Sequence, residues 1–145
     1  MKQKHRARIK VTSRSFSRHP VLKQELLDIF PNSVFNTDGP PTGLANIVEF
    51  LNDADGMILG LEQMDRQVLQ QLNNLKIIAK YGVGLDNLDV EAAEKFGIAV
   101  GWTGGVNKRS ASEQALGFML GLSRNLFFRP SLSKMGNGKR KEGLS

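Results

Sequence analysis

Apolar and polar positions alternate along this chain in two distinct rhythms. Between Arg8 and Thr12, Ile9 and Val11 alternate with Arg8 and Lys10, the period-two signature of a first strand. A loop over Ser13 to Ser17 follows. The period then lengthens: Pro20, suited to the first turn of a helix, precedes Val21, Leu22, Leu26, Leu27 and Phe30, and Pro31-Asn32 stops the helix. Ser33-Val34-Phe35 predicts a short second strand, Asp38-Gly39-Pro40-Pro41 a turn, and Thr42 the cap of a helix carrying Leu44, Ile47, Val48, Phe50 and Leu51. Met57 to Leu59 is a third strand, wholly apolar and so expected to be buried. Asp65 opens a short helix with Val68, Leu69 and Leu72. Ile77-Ile78-Ala79 is a fourth strand. Asp89 opens a helix that Gly97 closes, and Ile98 to Val100 is a fifth strand.

Strands and helices in alternation, with uninterrupted apolar strands, predict a parallel sheet covered on both faces. The expected architecture is α/β: a flavodoxin-like parallel five-stranded sheet with helices on both faces, followed by one long helix. That helix starts at Ser110-Ala111-Ser112-Glu113, which fits a capping box, and runs through Leu116, Phe118, Met119, Leu120, Leu122 and Leu126. Its apolar residues cover most of the circumference, so it should be buried on more than one side, either within its own domain or against a second domain or subunit. Gly117 and Gly121 would let another backbone approach closely. From Arg129 the periodicity fails, and 129–145 reads as a flexible basic tail.

Composition narrows the function classes. The chain has 145 residues, 40% of them hydrophobic and 23% charged, as in an ordinary globular protein. It has no cysteine, which excludes disulfides, thiol chemistry and any cysteine metal site. No apolar run approaches the roughly 20 residues of a membrane span, and no signal-peptide core follows Met1, so the expected compartment is the cytoplasm. The net charge of +6 is uneven. Residues 1–23 hold eight Lys/Arg and no acid, 124–145 six Lys/Arg and one acid, and the body between them six Lys/Arg and thirteen acids. A basic arm is a possible nucleic-acid footprint; two solvated tails on an acidic domain are the simpler reading, and nucleic acid is not an expected partner.

Chemistry is expected in the loops after the strands, because open α/β sheets bind ligands beyond the carboxyl ends of their strands. Tyr81-Gly82-Val83-Gly84 leaves the fourth strand. Two glycines around Val83 can turn several backbone N–H groups toward one point, a concavity suited to a carboxylate or phosphate, although a tight turn would need the same glycines. The stretch is not GxGxxG, since Asn87 stands three after Gly84. Thr103-Gly104-Gly105-Val106-Asn107 forms a second loop, with Asn107 placed to cap the long helix. Thr12-Ser13-Arg14-Ser15-Phe16-Ser17 is hydroxyl-rich, as in phosphate-cradling flavodoxin loops, but a polar turn near the cleft mouth is the favoured reading, since a single Trp and a single Tyr are poor provision for sandwiching a flavin ring. His5 and His19 follow no core strand and receive no catalytic role. Asp86, Asp89 and Glu91 are explained by helix capping and the helix dipole.

Residues 75–126 resemble the D-2-hydroxyacid dehydrogenase family, phosphoglycerate dehydrogenase-like branch. The family's successive motifs have counterparts in order: Leu75-Lys76-Ile77-Ile78-Ala79, then Tyr81 to Asp89 for the YGVGxDNxD loop, Glu91-Ala92-Ala93, Gly97 to Val100, Thr103 to Asn107, Ser110 to Glu113 and Leu120 to Arg124. Residues 7–74 fit more loosely. The resemblance implies that 1–103 form the substrate-binding domain. Backbone around Tyr81, Gly82, Val83 and Gly84 would hold the substrate carboxylate, and Val83 would border the nicotinamide of NAD or NADP. It implies a hinge near Gly101 to Asn107, and it implies that 104–128 belong with the cofactor domain and the homodimer core, the dimer forming through helix 108–126. The family's catalytic arginine, glutamate and histidine and its GxGxxG lie beyond these motifs; Arg124 and Arg129 do not correspond to the arginine. The 145 residues are therefore expected to bind no cofactor tightly and to lack hydride transfer on 2-hydroxy or 2-keto acids, as in a truncated, frameshifted or shortened product. The other reading left open is a non-catalytic flavodoxin-like module for a small anion or a protein.

Three departures stand out. Gly104 replaces the usual proline. Leu61-Glu62 follows the third strand where phosphoglycerate-binding members often carry arginine, which argues against a phosphorylated substrate. The stretch Gly136 to Arg140 lacks the tryptophan usual in the link to the cofactor domain.

Overall fold

In the computed structural model, residues 5–38 and 44–124 and Leu126 are described. The turn at 39–41, the Thr42 cap and the 129–145 tail fall outside these residues. Two compact units are present, one up to Val106 and one from Asn107 onward.

The first unit holds the sheet. Its strands are β1 (Ile9–Val11), β2 (Val34–Phe35), β3 (Gly56–Leu59), β4 (Ile77–Lys80) and β5 (Ala99–Gly101), all parallel in the order β2-β1-β3-β4-β5. This is the flavodoxin-like order. The helices are α1 (Arg14–Arg18), α2 (Pro20–Ile29), α3 (Leu44–Leu51), α4 (Arg66–Leu69) and α5 (Val90–Lys95). The register pairs Met57 with Ile78, so both point to one face, where Ile47, Leu51, Val68, Leu69, Ala92 and Ala93 from α3 to α5 close a continuous core over them.

Cover on the opposite face is partial. Ile9 and Val11 are buried there, together with Phe16 of α1. Ile77, which also points to that face, is 45% exposed, and Ala79 and Ala99 are exposed. Helices do lie on both faces, but β4 is not the wholly buried strand that its apolar run predicts.

The caps explain where the elements begin. Asp65 Oδ1 accepts from Val68 N at 2.9 Å and Asp89 Oδ1 from Ala92 N at 2.8 Å, as expected of N-cap aspartates. Gly97, at φ 72°, ends α5: its own N–H donates to Glu94 O and that of Ile98 to Ala93 O, the pairing that closes a helix through a left-handed glycine. His19, without a role in the sequence, caps α2, its Nδ1 accepting from Leu22 N at 3.3 Å.

Two further expectations are corrected. The Ser13 to Ser17 segment is not a loop but largely α1. Ser13 Oγ accepts from Phe16 N, the Ser17 hydroxyl donates to Ser13 O at 2.8 Å, and the Ser13 and Ser15 hydroxyls lie 3.1 Å apart. These internal bonds engage the hydroxyls that a phosphate cradle would need. The Ser110–Glu113 capping box does not form either. The second unit's helix α6 (Lys108–Ser123) starts two residues earlier, Asn107 occupies the cap position without a side-chain bond, and Glu113 instead pairs with Arg109 at 2.9 Å. Glu113 sits four residues after Arg109, so one helical turn brings them together whatever caps the start. Of the α6 residues only Gly121 is buried, while Leu116, Phe118, Met119, Leu120 and Leu122 are each more than half exposed.

Candidate functional site

Chain reversal in this strand order falls between β1 and β3, where a ligand crevice is expected. That position is filled. Thr12 Oγ1 donates to Glu62 Oε2 at 2.6 Å, and Gly60 N donates to both Thr12 Oγ1 and Glu62 Oε2, at 3.2 and 3.1 Å. Thr12 is fully buried and Glu62 nearly so. A Cβ on Gly60 would meet Ser13 at 3.0 Å, so the two loops touch through the glycine.

The same network extends under β4. Asn87, 6% exposed, donates through Nδ2 to Gly60 O at 3.2 Å and Glu62 O at 2.7 Å. Lys80 Nζ donates to Gly60 O at 2.5 Å and to Asn87 Oδ1 at 2.6 Å. Partial burial lowers the Lys80 pKa below the usual 10.5, while the Asp86 and Glu62 carboxylates pull it back up. The loops after β3 and β4 are thus joined by side chains through one asparagine and one lysine.

Above this base runs the segment Tyr81 to Gly84. Gly82 has φ 154°, a conformation that side chains rarely adopt, and a Cβ there would lie 3.3 Å from Lys80 Cε and 3.9 Å from its Nζ. Among the described residues nothing accepts a hydrogen bond from the amides of Gly82, Val83 or Gly84. Tyr81 stacks edge-on against Phe16, with centroids 5.3 Å apart, which anchors the start of the loop to α1. Trp102, after β5, donates from Nε1 to Val83 O at 3.0 Å. A cleft of about 600 Å³ opens between these two loops, lined by Lys80, Tyr81, Gly82, Trp102, Thr103 and Val106.

All four predicted site residues, Tyr81, Gly82, Val83 and Gly84, are therefore adjacent at the carboxyl end of β4, with Lys80 directly beneath. The sequence reading missed Lys80, Asn87 and Trp102. Lys80 reads as the polar end of a strand and Asn87 as a turn residue. The chain's single tryptophan, in a glycine-rich stretch, was the one signal available for the third.

The profile of the D-isomer specific 2-hydroxyacid dehydrogenase catalytic domain matches residues 15–135. The chain belongs to this family. Dehydrogenase relatives include a glyoxylate reductase of Thermococcus litoralis, 33% identical over 104 residues, which are 71% of this chain and 31% of that protein. A D-3-phosphoglycerate dehydrogenase of Methanocaldococcus jannaschii is 35% identical over 103 residues, 69% of this chain and 20% of the relative. The NAD+-bound 3-phosphoglycerate dehydrogenase of Entamoeba histolytica shares the fold, with a TM-score of 0.68 at 23% identity over 87% of this chain and 42% of that one. The chain thus spans less than a third of the length of the two curated dehydrogenases. Among the described residues, no helix is long and apolar enough to cross a membrane.

Proposed function

We propose that this chain is the substrate-binding part of an NAD(P)-dependent D-2-hydroxyacid dehydrogenase, and that the Gly82–Gly84 loop holds the substrate carboxylate. The observation that carries the reading is that the amides of Gly82, Val83 and Gly84 meet no acceptor among the described residues and stand beside the Lys80 ammonium at the carboxyl end of an inner strand. N–H groups converging on a carboxylate form charge-assisted hydrogen bonds and orient the adjacent carbon for reaction.

Glyoxylate, the substrate named for the Thermococcus relative, represents the favoured class: small 2-keto acids and their 2-hydroxy counterparts without a phosphate. The loop after β3 carries Leu61 and the buried Glu62 instead of a cation, and the Glu62 carboxylate would repel a phosphate there.

The cofactor of the complete enzyme would be NAD or NADP, which accepts or returns the hydride. Among the described residues, the glycine loop would offer one border of such a site. The Gly82–Gly84 loop passes through Asp86 and Asn87 and reaches a helix only at Val90, so no helix N-terminus stands directly behind it to take a pyrophosphate. The described chain is accordingly read as binding and orienting substrate without turning it over. The exposed apolar α6 is read as the subunit-joining element of a cytoplasmic homodimer.

The test is two-part. Glyoxylate titrated into the 15N-labelled chain should shift the amides of residues 82–84 first, at millimolar concentration, and NADH oxidation with glyoxylate should stay at the buffer rate. Amide shifts confined to other loops, or robust NADH-linked turnover by the 145 residues, would overturn the reading.

A further inference from the structure

The geometry points to the cleft between the β4 and β5 loops as a slot for a flat apolar side chain on the 2-keto acid that this chain binds. The inference narrows the substrate class proposed above and rests on that reading for the acid group; the slot itself is read from its own floor and walls.

The floor is made of small residues. Ala79 of β4 and Gly101 of β5 are register partners on adjacent parallel strands, so they stand side by side on one face of the sheet. Both line the cleft, and its volume of about 600 Å³ is open because neither carries more than a methyl group. Volumes of that size hold organic ligands, and glyoxylate, which has no side chain, would leave most of it empty.

The walls are aromatic and held in place. Tyr81 and Trp102 line the cleft at 40% and 46% exposure. Tyr81 meets Phe16 edge-on, with centroids 5.3 Å apart. The Trp102 indole donates its N–H to Val83 O at 3.0 Å and lies across Gly104, where a Cβ would stand 2.6 Å from Cη2. With its N–H spent, the indole has only ring carbons to offer the cleft. Val106 adds a branched aliphatic side. Among the described residues that line the cleft, Lys80 alone is charged, and its Nζ is bonded to Gly60 O and Asn87 Oδ1. Aromatic faces fixed over a floor of small residues favour a flat apolar group, which gains burial and stacking while the walls need no ordering. A phosphate in the same place would give up its water to apolar walls.

The probes are phenylpyruvate and glyoxylate, titrated separately into the 15N-labelled full chain. Trp102 is the single tryptophan, so its indole N–H gives one resonance that reports on the cleft. We expect phenylpyruvate to move that resonance and the Val106 amide, with a midpoint about tenfold below that of glyoxylate. Gly101→Val fills the floor: a Cβ there has only Ile78 O within 4 Å, at 3.9 Å, and a β-branched residue suits a strand. It should raise the phenylpyruvate midpoint to that of glyoxylate and leave glyoxylate binding where it was, at an unchanged melting temperature. Val106→Asn, at a 70% exposed position, should weaken phenylpyruvate alone, and it carries the test if Gly101→Val fails to fold. Equal midpoints for the two acids in wild type, or a phenylpyruvate midpoint unmoved by the variants, overturn the inference and leave the carboxylate reading intact. Cleft resonances that answer NADH at lower concentration than phenylpyruvate would assign the slot to a nicotinamide and overturn the inference as well. No shift at residues 82–84 with either acid overturns the carboxylate reading, whereas phenylpyruvate shifts at Trp102 and Val106 that fade in Gly101→Val would still support the slot.

Discussion

Lys80 Nζ lies 2.6 Å from Asn87 Oδ1, which joins the end of β4 to the turn that follows its glycine loop. The loop between them is thus clamped at both ends, and both clamps share the Gly60 carbonyl: Lys80 reaches it at 2.5 Å and Asn87 at 3.2 Å. A stretch with two glycines has a large backbone entropy to lose on ordering. Tying its ends together lowers the cost of holding three amides in one arrangement.

Asn87→Ala should be among the most damaging substitutions in the chain. It would leave the Glu62 carbonyl in a buried site without its amide donor, and Lys80 without one of its two acceptors. The expected loss is about 2–3 kcal/mol, seen as a lowered urea midpoint at unchanged slope. A loss under about 0.5 kcal/mol would mean that the network adds little to stability.

Lys80 should give the chain an alkaline signature. Its folded pKa is lowered, chiefly by burial, so between that value and the unfolded 10.5 the unfolded chain binds more protons. Stability contributed by this group therefore rises with pH through that window, and the burial penalty is fully present only below it. The stability of wild type minus that of Lys80→Met, measured by urea unfolding, should grow as the pH approaches 10.5 from below. A flat or falling difference would contradict the lowered pKa.

Two glycines with positive φ should behave differently. Gly82→Ala introduces strain of about 1–3 kcal/mol and places a methyl 3.3 Å from Lys80 Cε. It should reduce glyoxylate binding as well as stability. Gly97→Ala, at φ 72° with nothing within 4 Å, should cost about 1 kcal/mol in melting experiments and leave the glyoxylate midpoint where it was. Equal effects on binding would remove the glycine loop's special status.

The apolar surface of α6 should control assembly. Leu116 and Leu120 are 55% and 57% exposed and lie one helical turn apart. In sedimentation equilibrium, a wild-type dimer should become a monomer in the Leu116→Glu, Leu120→Glu double variant. A monomer in both would detach α6 from any subunit-joining role.

Much of the α/β plan was legible from local signals. Ile9 and Val11 alternate as a strand must. Asp65, Asp89 and Gly97 cap the helices assigned to them, because capping depends on groups three to five residues apart. Errors arose where local signals competed. The serines between Thr12 and Ser17 fit a polar loop as well as a capped helix, and the helix prevails with Phe16 buried against the core. Ser110 and Glu113 have capping-box spacing, yet α6 begins two residues upstream with Arg109 claiming Glu113. Exposure of Ile77 was invisible too, since an apolar run does not say whether both faces of a strand are covered.

The sequence by itself determined the order of the five strands, the glycine loop after β4 and the family, since each is written in residue types at short, fixed spacing. Only the tertiary structure decided which groups support that loop. Thr12 meets Glu62 and Gly60, Asn87 meets Gly60 and Trp102 meets Val83 because parallel strands bring loops 19 to 50 residues apart in the chain to one edge of the sheet. Pairings at that separation depend on strand order and register, which arise from burying the core as a whole, and no local pattern of residues encodes them.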